Sequence, residues 1–197
     1  MFEKIADGTS MLRTEERTCG TVYMIEEKGK RLLIDSGDGK LPDFGFVPDI
    51  CVLTHGHYDH SMGVKGNWGK VLLHPAEFSF GGPYISIPKN AKENPMEPLE
   101  FGSHLLKFFH TPGHTAGSIC IFDKATGLLF SGDTAFAGGV WGRTDLGGSD
   151  REMADSLLLI EKIPYTLLCP GHGQLEHKLS GFRAAARNLH GEMEEKK

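Results

Sequence analysis

Eight short apolar runs punctuate the chain: "TVYMIEE", "RLLIDSG", "DICVLTH", "KVLLH", "LLKFFHT", "SICIFD", "LLFSGD" and "YTLLCPGH". Each has a core of Val, Ile, Leu, Phe or Cys and is closed by a polar residue, Gly or Pro, which predicts strands. Helical spacing is clearest in "DREMADSLLLIEKI", where Met153, Leu157 and Ile160, or Leu158 and Ile163, share a face. Asp150 is the predicted N-cap of that helix and Pro164 its stop. From Gly181, "GFRAAARNLHGEMEEKK" predicts a last amphipathic helix that frays into charge. Strands dominate, with helices set between groups of them, so the expected class is a layered α/β or α+β sandwich. No repeat or linker interrupts residues 1–197, which read as one domain. The segment "GGPYISIPKNAKENPMEPLEFG" is the one long irregular stretch, with four prolines from Pro83 to Pro98. It is either a loop bordering a substrate (82–98) or a passive excursion.

Composition narrows the function classes. A length of 197 residues and 39% hydrophobic content allow a substantial core. The net charge of −5 offers no basic face for nucleic acid. No stretch approaches the roughly 18 apolar residues of a membrane span. The start, "MFEKIADGTSML", lacks a basic leader followed by an apolar core, so a cytoplasmic location is expected. Cys51, Cys120 and Cys169 lie inside apolar runs and read as buried thiols rather than a disulfide framework.

The chemistry concentrates in "VLTHGHYDHSMG", which packs His55, His57, Asp59 and His60 into six positions after an apolar run. With imidazole and aspartate each near 5% of the chain, such a pattern arises by chance in about one chain per thousand. His55 and His57 straddle a glycine and can turn to one point. Asp59 and His60 fall where a helix can begin and so can face a neighbouring one, an arrangement that suits two metals about 3.5–4 Å apart. Imidazoles with few carboxylates favour zinc, iron or related ions over calcium or magnesium. Further donors are needed, and three strand ends supply them: His114 in "FFHTPGHTAGS", Asp133 in "LLFSGDTAF" and His172 in "LLCPGHG". Each is a ligand type beside glycine after an apolar strand.

These segments resemble the metallo-β-lactamase fold superfamily, and within it the glyoxalase II-like (hydroxyacylglutathione hydrolase-like) hydrolases. The match runs from about Val22 to Gly173 and includes "GRTDL" at Gly142 to Leu146. The resemblance implies an α+β (αββα) fold, a four-layer sandwich of two mixed β-sheets flanked by helices. It implies a first metal site of His55, His57 and His114, a second of Asp59, His60 and His172, and Asp133 bridging the two. The implied cofactors are two divalent transition-metal ions, zinc foremost, with iron or manganese also compatible. The implied reaction is hydrolysis of a small thioester or ester by a metal-bridging hydroxide, with Asp59 orienting the water and accepting its proton. The best-known β-lactamases carry cysteine where Asp133 stands, which argues against antibiotic hydrolysis. The stretch after His172 has room for one helix, whereas glyoxalase II adds a helical region that helps hold glutathione.

Ligating imidazoles need acceptors for their other ring nitrogen. Asp35, ending "RLLID", is the first candidate, ahead of Thr54 and Ser118. Arg143 and Asp145 pair as a brace of the wall, or Arg143 holds a substrate carboxylate. Tyr84, Phe136, Trp68 and Trp141 either line a pocket or pack the core. His74, His104, His110, His177 and His190 read as surface or packing residues. Two other readings share the fold. Persulfide dioxygenases resemble the chain in the "GRTD" region and use one iron, mapping onto His55, His114 and Asp133. Nucleases of this fold add a basic face, which this acidic chain lacks.

Overall fold

The computed structural model describes residues 1–13, 19–79, 81–82, 84–177 and 181–195. All eight apolar runs form strands, and they divide between two sheets. The first sheet is β1 (Glu3–Ala6), β2 (Thr9–Leu12), β3 (Val22–Glu27), β4 (Lys30–Ile34), β5 (Ile50–Val52), β6 (Lys70–Leu73) and β7 (Ala91–Glu93), in that spatial order. Its first half is an antiparallel meander, while β4 through β7 run parallel. The second sheet uses β8 (Leu99–Phe101), β9 (His104–His110), β10 (Ile119–Asp123), β11 (Leu128–Gly132), β14 (Leu167–Pro170) and β15 (Glu176–His177), ordered β15-β14-β11-β10-β9-β8. Only β11 and β14 pair in parallel there. A two-stranded ribbon, β12 (Ala135–Phe136) with β13 (Val140–Trp141), stands beside the second sheet's parallel pair.

Side-chain alternation explains the layers. Along β10, Ile119 and Ile121 face the other sheet, whereas Cys120 and Phe122 face helices. Between the sheets, Ile25, Leu32, Ile34 and Val52 meet Leu106, Ile119, Ile121 and Phe130. Each such side chain contributes about 1.5–3 kcal/mol when fully buried. Helices α2 (Asp150–Ile160) and α3 (Phe182–Glu195) cover the second sheet's outer face through Met153, Leu157, Ile160, Phe182, Ala186 and Leu189. Over the first sheet's outer face, Leu41, Phe44, Phe46, Val64 and Trp68 from connecting segments pack on Val22, Leu33, Cys51 and Val71. Trp68 is therefore a core residue, 6.2 Å from Phe44 between ring centroids. Both sheets are covered on both faces, which is why their strands read as unbroken apolar runs. All four cysteines are buried thiols. No helix among the described residues is long and apolar enough to cross a membrane.

Several boundaries differ from the sequence reading. The N-cap of α2 is Ser149, whose side chain accepts from the Glu152 N–H. Asp150 instead accepts from the Thr144 hydroxyl as the first helical residue. The helix ends at Ile160, one turn before Pro164, and its exit tightens as the Lys162 and Ile163 N–H groups donate to the Leu159 and Ile160 carbonyls. The proline-rich segment is not structureless, since it contributes edge strands β7 and β8. Pro83 and the His190 side chain lie outside the described residues.

Candidate metal centre

The strand ends of both sheets meet along one edge. Past β5, Thr54 and His55 continue the chain, and His57 stands extended (φ −65°, ψ 144°) ahead of the one-turn helix α1 (Tyr58–Ser61). That turn places Asp59 and His60 on the adjoining side. His114 sits in the connection between β9 and β10, Asp133 directly follows β11, and His172 follows β14. Two cross-sheet backbone bonds fix these ends: Ile119 N–H to the Thr54 carbonyl at 2.9 Å and Thr21 N–H to the Gly171 carbonyl at 2.7 Å.

All seven predicted donors converge. His55 Nε2 lies 3.1 Å from His57 Nδ1, which is 2.8 Å from His114 Nε2. On the other side, His60 Nε2 and His172 Nε2 are 3.2 Å apart, and His172 Nε2 is 3.0 Å from Asp59 Oδ2. Asp133 stands between, with Oδ1 3.3 Å from His60 Nε2 and Oδ2 3.6 Å from His114 Nε2 and 3.5 Å from His172 Nε2. Three overlapping groups result, His55/His57/His114, His55/His60/Asp133 and Asp59/His60/His172, each with its ligand atoms within 4.8 Å of one another. Asp133 Oδ1 has no hydrogen-bond partner among the described residues although it is buried. An orphaned carboxylate oxygen among imidazole nitrogens is what a cation would satisfy, so the residues fit such a group.

The electrostatics separate the histidines. Burial, then the neighbouring His60 and His114, hold His55 well below the ordinary imidazole value. Burial and His114 push His57 down to about 4. Both offer lone pairs at neutral pH, the form a metal needs. Burial also opposes charge on His60, but Asp133 and Asp35 outweigh it and raise its pKa well above the usual value. Asp133 is the counterpart: burial disfavours its anion, yet His60, His172 and His55 hold it well below the usual carboxylate range. For Asp59 the His172 contact overcomes burial and lowers it.

The outer ring nitrogens are held as well. His60 Nδ1 is 2.7 Å from Asp35 Oδ2, and Asp35 also accepts from the Thr54 N–H (2.7 Å) and hydroxyl (2.8 Å). Thr54 Oγ1 is in turn 3.1 Å from His55 Nδ1. Asp35 adopts φ +61°, a conformation rare outside glycine, which these bonds maintain. His114 Nδ1 donates to the Arg143 carbonyl at 2.7 Å, a backbone partner with no side-chain signature. The Ser118 hydroxyl bonds the Thr115 N–H and hydroxyl. The residue the sequence reading missed is Glu77, wholly buried between two of these loops.

A cleft of about 410 Å³ opens on the cluster. His57, Asp59, His114, Asp133 and His172 form its floor, and Tyr84, Phe136, Trp141 and Arg143 its walls. Of the four aromatics, Tyr84, Phe136 and Trp141 border the cleft, while Trp68 packs in the core. Arg143 and Asp145 pair at 2.9 and 2.7 Å with both side chains about two-thirds exposed. The start of the proline-rich segment reaches the site, as the Tyr58 N–H donates to the Tyr84 carbonyl at 2.8 Å and the Ser86 N–H to the Gly56 carbonyl at 2.8 Å. Other described histidines lie elsewhere. His104 is buried 2.7 Å from Asp123, and His74 stacks on His110.

Fold and cluster define one class, and the comparisons agree: the family model described as the metallo-beta-lactamase superfamily matches residues 19–172, so the chain belongs to that superfamily. A hydroxyacylglutathione hydrolase from Salmonella arizonae is 32% identical over 167 residues, 81% of this chain and 62% of that protein. The chain thus spans about 62% of the length of that curated relative. Among solved structures, the BLEG-1 B3 metallo-beta-lactamase superposes with TM-score 0.69 at 26% identity, covering 86% of this chain and 93% of that one. The protein TTHA1623, solved in a di-iron-bound form, has TM-score 0.66 at 24% identity, covering 88% and 96%.

Proposed function

We propose that the chain is a dinuclear metal-dependent hydrolase of the glyoxalase II-like branch, acting on a small thioester or ester. The observation that carries this reading is the convergence of seven donors from four segments into overlapping three-residue groups. His55, His57 and His114 would hold one divalent ion, Asp59, His60 and His172 a second, and Asp133 would serve both. The donor chemistry favours zinc, with iron or manganese as alternatives. Such ions lower the pKa of water from about 15.7 towards 7 and supply positive charge against a developing oxyanion.

The protein's own groups do the rest. Asp59, on the cleft floor beside His172, orients the attacking water and takes its proton. Tyr84, Phe136 and Trp141 exclude solvent and pack the acyl or carrier part. Arg143, held by Asp145, flanks the entrance as wall or as a contact for a substrate carboxylate. The cleft volume matches a small molecule. Support for a thioester comes from the relatives named hydroxyacylglutathione hydrolase.

The test is elemental analysis of the purified protein followed by a thioester and ester panel with and without chelator. Two metals per chain and chelator-sensitive turnover that needs no oxygen are expected. One iron per chain with oxygen uptake would favour the dioxygenase reading on His55, His114 and Asp133 instead.

A further inference from the structure

We infer that Glu77 is the positioning residue that sets how far apart the two sheets hold the histidines of the first metal group. The inference rests on the reading above, in which His55, His57 and His114 share one ion. Glu77 lies in the 3-10 turn Pro75–Ser79 that follows β6, and it has no exposed surface. A glutamate is almost never fully buried unless its oxygens are satisfied. Here the Gly56 N–H donates to Oε2 at 2.8 Å, while the Gly117 N–H and the Thr115 hydroxyl donate to Oε1 at 2.7 and 2.6 Å.

The placement of those donors gives the inference its content. Gly56 is the residue between His55 and His57, carried by the first sheet's β5. Thr115 is the neighbour of His114, carried by the second sheet's β9–β10 connection. One carboxylate therefore spans the two loops one residue away from each of the three rings, whose facing nitrogens are 2.8 and 3.1 Å apart. Ser118 supports the arrangement from behind, with its Oγ 2.7 Å from Thr115 Oγ1.

The same contact accounts for two glycines. A Cβ on residue 56 would sit 2.6 Å from Glu77 Oε2, and one on residue 117 would sit 2.6 Å from Glu77 Cγ. The middle position of H-x-H is glycine because the carboxylate occupies the space a side chain would take. An amide at residue 77 would keep the size but turn an NH2 group towards the N–H of one loop or the donors of the other. Only a carboxylate accepts at both ends.

The experiment is titration of the metal-free full chain with Co2+, following its visible absorption for wild type, Glu77→Gln, Thr115→Val and Thr115→Ser. Glu77→Gln should weaken one of the two ions by about 10–100-fold and leave the Asp59/His60/His172 ion unchanged. Thr115→Val should fall between, and Thr115→Ser, which restores the hydroxyl, should match wild type. Unchanged affinities in Glu77→Gln, or equal loss at both sites, overturn the positioning role. If Glu77→Gln does not fold, the Thr115 pair decides, and equal affinities of Val and Ser overturn it. A wild type that binds one ion sinks the two-ion reading, while the same comparison on that ion still decides Glu77. A wild type that binds none sinks both.

Discussion

Asp133 is the one carboxylate whose two oxygens reach both sides of the cluster, His60 at 3.3 Å and His114 and His172 at 3.6 and 3.5 Å. Replacing it by alanine would remove a donor from both proposed ion sites and leave His60 buried without one of the two carboxylates, Asp133 and Asp35, that favour its charged form. Asp133→Ala should therefore bind well under two metals per chain by elemental analysis. Retention of two ions and full turnover would end the shared-carboxylate assignment. A second residue-scale consequence concerns protons. Burial and the stacked His110 ring lower His74 to about 4, against an ordinary 6.5. Between those values the unfolded chain binds more protons there than the folded one, so stability present above about pH 6.5 is lost as pH falls through 4. In metal-free protein, His74→Gln should lose less stability than wild type between pH 7 and 4.5 by denaturant titration; equal losses would refute it. The seven donors were legible because four crowd into one loop after an apolar strand and the other three each stand beside a glycine near a strand end. Glu77 was not, since a buried carboxylate that accepts from backbone N–H groups leaves no local pattern.

At the scale of elements, α2 does more than cover a sheet. Its cap residue Ser149 donates its N–H to the Gly113 carbonyl at 2.8 Å, and the Ser156 hydroxyl donates to the Pro112 carbonyl at 2.7 Å. The helix start thereby holds the turn that presents His114. Gly113 adopts φ +134°, and a Cβ there would lie 2.5 Å from the Met153 backbone nitrogen and Cα. Gly113→Ala should cost at least about 2 kcal/mol in urea unfolding, from backbone strain and displacement of the helix. It should also weaken metal binding. A variant as stable as wild type would show that the turn and α2 are not coupled. The long strands and α2 could be read from the chain because burial on both faces imposes continuous apolar runs and a 3.6-residue stripe. Edge strands β1, β7, β8 and β15 could not, for they are two to four residues long and partly exposed. β1 and β8 pair in hairpins with the next strand and β15 with the one before it, so a single short ladder holds each. The cap fell on Ser149 rather than Asp150 because the side chain of Asp150 is engaged by Thr144.

Across the whole molecule, the donors come from loops of both sheets: His55, His57, Asp59 and His60 follow β5, while His114, Asp133 and His172 belong to the second. A bound ion pair would thus join the two halves of the sandwich at the edge where the inter-sheet core ends. The unfolded chain cannot assemble that donor set, because its members are spread over more than a hundred positions. Binding then adds to folding stability as RT ln(1 + [L]/Kd), about 4 kcal/mol for each ion held at a thousandfold excess over its Kd. In a domain of this size each kcal/mol moves Tm by about 2–4 °C, so stripping even one such ion should lower Tm by roughly 8–16 °C. Calorimetry of metal-loaded and chelator-treated protein measures this directly, and readdition of metal should restore the higher transition. The Asp133→Ala variant should show little of the shift, since its loaded state is already depleted. An unchanged Tm on complete metal removal would mean that the two sheets are held at this edge by the protein's own bonds, Ile119 to Thr54 and Glu77 to Gly56 and Gly117, and that the ions contribute chemistry without cohesion.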